Sequence, residues 1–158
     1  MLDSQAVDIV IGVMKGPPKR YPSRILYRDT YVALMSADHK LARQNFSLER
    51  FAALDHLLVS QTTQSYNLFD DAIAQLGMKR NIRLVMTDWL AAADVIGSTD
   101  LVTAIFRRTA DVIMRSSRRR LVVRPIKLPS FDVVMLWHNS FSTHPAYEWL
   151  QEQIVKSC

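Results

Sequence analysis

The chain has 158 residues, 49% hydrophobic and 22% charged, which suffices to bury the core of one ordinary domain or two small lobes and argues against disorder. Its single cysteine, Cys158, excludes an internal disulfide framework and a cysteine-rich metal site, and no apolar run approaches the roughly 20 residues of a membrane span. No basic segment followed by an apolar core and a cleavage site opens the chain, so a cytoplasmic location is expected; the net charge of +5 bears on solubility and encounter.

Residues 7–13 (VDIVIGV) read as a short strand that closes at Gly12 and ends in a Lys-Gly-Pro-Pro turn. Residues 23–28 and 31–36 read as further strands, with a polar turn or bulge at 28–30. From Ser47 onward, helices and strands alternate as in a doubly wound α/β lobe. A short helix carries Leu48, Phe51 and Ala52, and residues 56–60 (HLLVS) form the next strand. A helix over residues 65–76 has the apolar stripe Leu68, Phe69, Ala72, Ile73 and Leu76, with Gly77 as its C-cap. Asp70 and Asp71 fall on its exposed side near the positive end of the helix dipole, a stability role.

Residues 81–86 predict a strand, and Thr87 or Asp88 caps a helix through Ile96 that is apolar on most sides and therefore buried. Gly97 stops that helix. A strand over 101–105, a helix over 107–114 and a strand over 121–124 follow. The closing stretch, residues 128–150 (LPSFDVVMLWHNSFSTHPAYEWL), holds a strand over 131–137 too apolar for a half-exposed sheet, so it is expected to be central and buried on both faces, as parallel strands are. Pro145 suits the first turn of a final helix capped by Ser142, Thr143 or His144. Ala146, Trp149, Leu150, Gln153 and Ile154 share one face of it, expected to dock onto the sheet.

Catalytic chemistry is hard to build from these residues. His39, His56, His138 and His144 lack metal-ligand spacing, no serine sits in a Gly-x-Ser-x-Gly elbow, and there is no phosphate-cradling glycine loop. An enzyme is therefore not expected, and neither a metal nor a cofactor is called for. Between residues 101 and 127, Arg107, Arg108, Arg115, Arg118, Arg119, Arg120, Arg124 and Lys127 face a single acid, Asp111. Such a run is usually a solvated face, although it could touch phosphate or a subunit partner.

Ligand chemistry points elsewhere. Gln61, Thr62, Thr63, Gln64 and Ser65 lie between a strand end and a helix start, where backbone N–H groups and the helix dipole converge on an anion. Thr63 or Ser65 could equally cap the helix, and the two roles are compatible.

Four blocks in order carry a family resemblance: VDIVIG at 7–12, DTYVALMSADHKLA at 29–42, GSTDLVTAIFRRTA at 97–110, and the closing stretch with Trp137-His138 and His144-Pro145-Ala146-x-x-Trp149-Leu150. Together they resemble the effector-sensing domain of LysR-type transcriptional regulators, nearest to the subgroup of nodulation and aromatic-catabolism regulators. Lys40 stands where the family's His-Pro-Leu-Ala has proline, and Phe106 where proline often follows the strand. The resemblance implies a periplasmic-binding-protein-like α/β fold of type 2 with two crossing hinge strands. Residues 1–34 and 132–158 would form a partial first lobe and residues 35–131 the second.

It further implies a small-molecule effector in the inter-lobe cleft, an aromatic carboxylate by the subgroup; the residues themselves call only for a small anion. Thr103 and Val13, the latter with Met14 and Lys15, become candidates for the cleft walls beside residues 61–65, although Gly12, as a strand-ending glycine, could be only a turn residue. Gly97, Ser98, Thr99 and Asp100 read as a C-cap and turn near that cleft. The implied partners are a homo-oligomer, dimer or tetramer in the full-length protein, and DNA through a helix-turn-helix that this chain lacks, with no membrane. A stand-alone solute-binding module and an inactive truncated remnant are the alternatives.

Overall fold

The computed structural model describes residues 2, 6–14, 16, 18–60, 68–142 and 144–158. In chain order its strands are β1 (Ile9–Val13), β2 (Ser23–Asp29), β3 (Tyr31–Ser36), β4 (Asp55–Val59), β5 (Asn81–Met86), β6 (Thr103–Phe106), β7 (Leu121–Pro125) and β8 (Phe131–Trp137). The α-helices are α1 (Leu48–Ala52), α2 (Leu68–Ala74), α3 (Trp89–Ile96), α4 (Arg107–Ser116) and α5 (Pro145–Ser157). The chain divides into two compact units, Met1–Asp29 with Ser130–Cys158, and Thr30–Pro129.

In the first unit, β8 lies between β1 and β2. Its consecutive residues Val133, Val134, Met135 and Leu136 are all buried, as a strand covered on both faces requires. Both neighbours run antiparallel to it, so burial on two faces does not here accompany parallel pairing. A continuous apolar run reports two covered faces and says nothing of strand direction. Gly12 pairs with Val134 inside β1 and does not close it. β2 and β3 part at Thr30, within the polar stretch 28–30 expected to separate them, and β2 carries a further register shift between Ile25 and Tyr27.

Helix α5 starts with Pro145, where a missing N–H costs no hydrogen bond, and His144 caps it without a side-chain bond. No residue of α5 is buried, and Trp149 is 63% and Leu150 38% exposed. The expected docking through Ala146, Trp149 and Leu150 is therefore overturned. The helix is rotated so that the half-buried residues are instead Tyr147, Gln151, Gln153, Ile154 and Val155, of which Gln153 and Ile154 belong to the expected face. Phe141 fixes that rotation by stacking on Tyr147 at 4.1 Å between ring centroids.

The second unit holds an antiparallel sheet ordered β6-β3-β7 and a parallel pair, β4-β5. A parallel bridge between His56 and Val102 ties them together: the Leu57 N–H donates to the Val102 carbonyl at 2.9 Å and the Val102 N–H to the Asp55 carbonyl at 3.1 Å. All six residues of β3 are buried. Its period-two alternation sends Val32 and Leu34 into a core with Leu57, Ile105, Ala92, Ala93, Ile96, Ala110 and Ile113, on the side of α3 and α4. Tyr31 belongs to the opposite set and meets Phe69 of α2, which in turn meets Phe51 of α1 edge-on. Helices thus cover the sheet from two sides, the doubly wound layering expected from the alternation of elements.

Local chemistry sets the ends of these elements. Ser47 and Asp88 accept from the backbone N–H of Arg50 and Ala91, capping α1 and α3. Gly77 takes φ +73°, and the Met78 N–H returns to the Ile73 carbonyl at 3.0 Å, closing α2 as expected. Gly97 ends α3 in right-handed conformation, so its lack of a side chain answers a different need: a Cβ there would lie 2.5 Å from the Arg119 Cβ. Helix α3 is buried through Ala92, Ala93 and Ile96 only, with Leu90 65% exposed, against the expectation of burial on most sides. Among the described residues no helix is long and apolar enough to cross a membrane.

Candidate functional site

The parallel strand β4 ends at Val59, β6 ends at Phe106, and helices α3 and α4 begin beside them. At these carboxyl ends lies a cavity of about 280 Å³, entirely within the second unit. Tyr31, Trp89 and Phe106 give it aromatic walls, Leu58 and Leu68 add aliphatic surface, and Ser60 and Thr109 bring hydroxyl groups. Helix α4 opens at Phe106 with no side-chain cap, and Thr109 of its first turn lines the cavity. The positive end of the α4 dipole therefore abuts an apolar hollow with two hydroxyls, an arrangement suited to a small ring bearing a negative group.

The sequence-predicted site residues distribute unevenly around this cavity. Gln61, Thr62, Thr63, Gln64 and Ser65 lie outside the described residues, directly after the cavity residue Ser60. Thr103 starts β6, at the end of the strand away from the cavity; it is 1% exposed and its hydroxyl donates to the Ala104 carbonyl at 3.4 Å. The strand covers 103–106 and not 101–105, which moves Thr103 from the strand's end to its beginning. Val13 is half-buried in the first unit, paired with Val133. Gly97, Ser98, Thr99 and Asp100 line a separate polar hollow with Ser36, Asp38 and His39.

Sequence reasoning missed Tyr31, Trp89, Phe106 and Thr109. For Tyr31, Trp89 and Phe106 the signal was present, since each is the end residue of a strand or helix, but an aromatic residue in that place reads as core; Thr109, in the first turn of α4, carried no such signal.

Behind the cavity, Asp70 stands in the first turn of α2 as expected, its side chain 37% exposed, and also holds a partner that the sequence did not reveal. Arg80, whose side chain is 2% exposed, donates through Nε to Asp70 Oδ1 at 2.6 Å and through Nη2 to Oδ2 at 3.0 Å. Its guanidinium lies 4.9 Å from the centroid of the Phe69 ring. His56 is fully buried beside this pair and donates from Nε2 to the Phe51 carbonyl at 3.0 Å, while Nδ1 has no partner among the described residues. Burial and the Arg80 charge push its pKa down to about 4, so the ring is neutral. His39, also buried, accepts the Leu41 N–H at 3.1 Å on Nδ1, and burial lowers its pKa against the pull of Asp100.

Among the described residues no cluster of three or more His, Cys, Asp or Glu could hold a metal. The basic run is largely engaged: Arg107 pairs with Asp111 at 3.2 Å, Arg119 with Asp94 at 3.1 Å, and Arg124 donates to the Ala42 carbonyl at 2.9 Å. It reads as a solvated face with local partners.

A doubly wound lobe with a hollow at the carboxyl ends of its strands is the layout by which open α/β domains receive small ligands. The full length, residues 1–158, matches the LysR substrate binding domain family model, and the chain belongs to that family. It is 28% identical over 156 residues to the HTH-type transcriptional regulator SyrM of Rhizobium meliloti strain 1021, covering 98% of this chain and 48% of that protein. The regulatory domain of MexT, a transcriptional activator in Pseudomonas aeruginosa, superposes with TM-score 0.81 at 19% identity over 98% of this chain and 74% of that one. The regulatory domain of CcmR from Synechocystis PCC6803, solved in complex with 2-PG, gives TM-score 0.79 at 12% identity over 99% and 76%. These neighbours share the two-lobed periplasmic-binding-protein-like fold. The chain spans about half the length of the curated relatives it matches.

Proposed function

We propose that this chain is the sensing part of a LysR-type transcriptional regulator and binds a small aromatic carboxylate in the inter-lobe cleft, the cavity at the ends of β4 and β6 supplying the second lobe's wall. Family membership supports the sensing role. The single observation that carries the ligand class is the lining of that cavity by Tyr31, Trp89 and Phe106 with the hydroxyls of Ser60 and Thr109. Ring walls suit a planar apolar body, and the first turn of α4, which has no side-chain cap although the Arg107 N–H donates to the Thr30 carbonyl, suits a carboxylate. At about 280 Å³ the cavity sits at the small end of ligand pockets, which run from about 300 to 1,000 Å³.

Gln61, Thr62, Thr63, Gln64 and Ser65 remain candidates for ligand contact from the sequence, Thr63 and Ser65 through their hydroxyls. The effector acts by binding two arrangements of the domain with different affinity, since equal affinity shifts nothing. In the longer regulator the shift passes through a homo-oligomer to a DNA-binding segment.

Calorimetric titration with benzoate, the simplest aromatic carboxylate, tests this reading. Thr109→Val and Thr63→Val each weaken binding about tenfold or more, as for a lost hydrogen bond to a charged group worth about 1.5 kcal/mol. Unchanged affinity in both variants would overturn the placement of the ligand.

A further inference from the structure

Arg80 is a guanidinium buried to 2% exposure in a chain whose other cations mostly lie on the surface, and no part of it lines the cavity. It stands immediately before β5, ten residues from its partner Asp70 and on the far side of the Gly77 turn. Two parallel bonds to Asp70 and the face of Phe69 hold it in one plane. Asp70 and Phe69 are consecutive residues in the first turn of α2, and the residue before them, Leu68, lines the cavity. Phe69 also meets Tyr31, a second cavity residue, with ring centroids 5.2 Å apart.

Arg80 thus grips the turn of α2 from behind while the front of the same turn forms the cavity wall. A bidentate, stacked guanidinium fixes rotation and translation together, which a lysine's single rotatable ammonium does not. Helix α2 has only seven residues and cannot hold its position by itself. Neutral His56 beside the pair leaves the guanidinium committed to Asp70.

We infer that Arg80 is a positioning residue for the effector cavity: through Asp70 and Phe69 it sets where Leu68 and Tyr31 stand, and so sets affinity without touching the ligand. The effector part of this inference rests on the reading of the cavity given above; the grip on α2 stands without it.

Two variants of the full chain, Arg80→Lys and Asp70→Asn, test the inference with two readouts. Hydrogen exchange of the α2 amides is expected to rise at least tenfold in each, with β3 and β6 unchanged. The benzoate dissociation constant of the folded protein is expected to rise at least fivefold. Arg119→Lys, which loosens the exposed pair with Asp94, serves as control and leaves both readouts unchanged. Asp70 is 37% exposed, so its amide replacement keeps contact with water and carries the test if Arg80→Lys fails to fold. Unchanged exchange in α2 overturns the inference whatever benzoate does. Faster exchange with unchanged benzoate affinity also overturns it, since a merely structural bolt would behave that way. If the wild type binds no benzoate, the effector reading fails separately, and α2 exchange alone then decides whether Arg80 holds the wall.

Discussion

His56 shows how one buried side chain links packing to pH. Its ring lies within the β4 face against Phe51, at 4.7 Å between centroids, with Nε2–H spent on a carbonyl and no partner for Nδ1 among the described residues. Because its folded pKa is depressed from 6.5 to about 4, the unfolded chain takes up a proton between those values that the native state refuses. Stability is therefore fully present above pH 6.5 and declines as pH falls toward 4, by about 3 kcal/mol from this group. His56→Gln should lose most of that slope in denaturant titrations across pH 4 to 7, the smaller remainder coming from His39, whose pKa is also lowered. A variant with the wild-type slope would mean that the ring is not buried neutral. The residue scale also contains a backbone test: Gly77→Ala forces a side chain onto φ +73° and should lower stability by about 1 kcal/mol.

Helix α5 and strand β8 show what an element's pattern can and cannot reveal. The apolar run over 131–137 correctly marks a central, doubly covered strand, because burial is written directly in side-chain chemistry. Strand direction is not, since partners at positions 9–13 and 23–29 leave no trace in the run itself. For α5, Pro145 marks the start correctly, while the inward face is chosen by Phe141 stacking on Tyr147, a contact that helical spacing does not show. Trp149→Ala should consequently change stability by no more than about 0.5 kcal/mol, as at other exposed positions, where a docked tryptophan would have cost about 3–5 kcal/mol. Phe51→Ala, at 0% exposure, should cost that larger amount. Equilibrium unfolding of both variants decides whether the burial assigned to each ring is correct. The site was legible to the same degree as the elements: the carboxyl ends of the strands of the alternating lobe were evident, but Thr103 was misplaced by a two-residue shift of β6, and the Arg80–Asp70 pair was hidden because its members are separated by a helix end and a glycine turn.

At the scale of the whole molecule, the account joins a family membership to one hollow in one unit. The family model covers residues 1–158, and the fold agrees with solved regulatory domains of transcriptional regulators. From the cavity's walls follows the proposed class of effector, and from Arg80 behind the wall follows a means of tuning affinity without a contact. The measurement that tests the central claim most directly is a benzoate titration of isotopically labelled protein followed by backbone and indole amide chemical shifts. The account predicts saturable shifts centred on Ser60, Trp89, residues 104–106 and Thr109, with only minor changes around Thr103 and along α5. Shifts centred elsewhere, or none at millimolar benzoate, would contradict it.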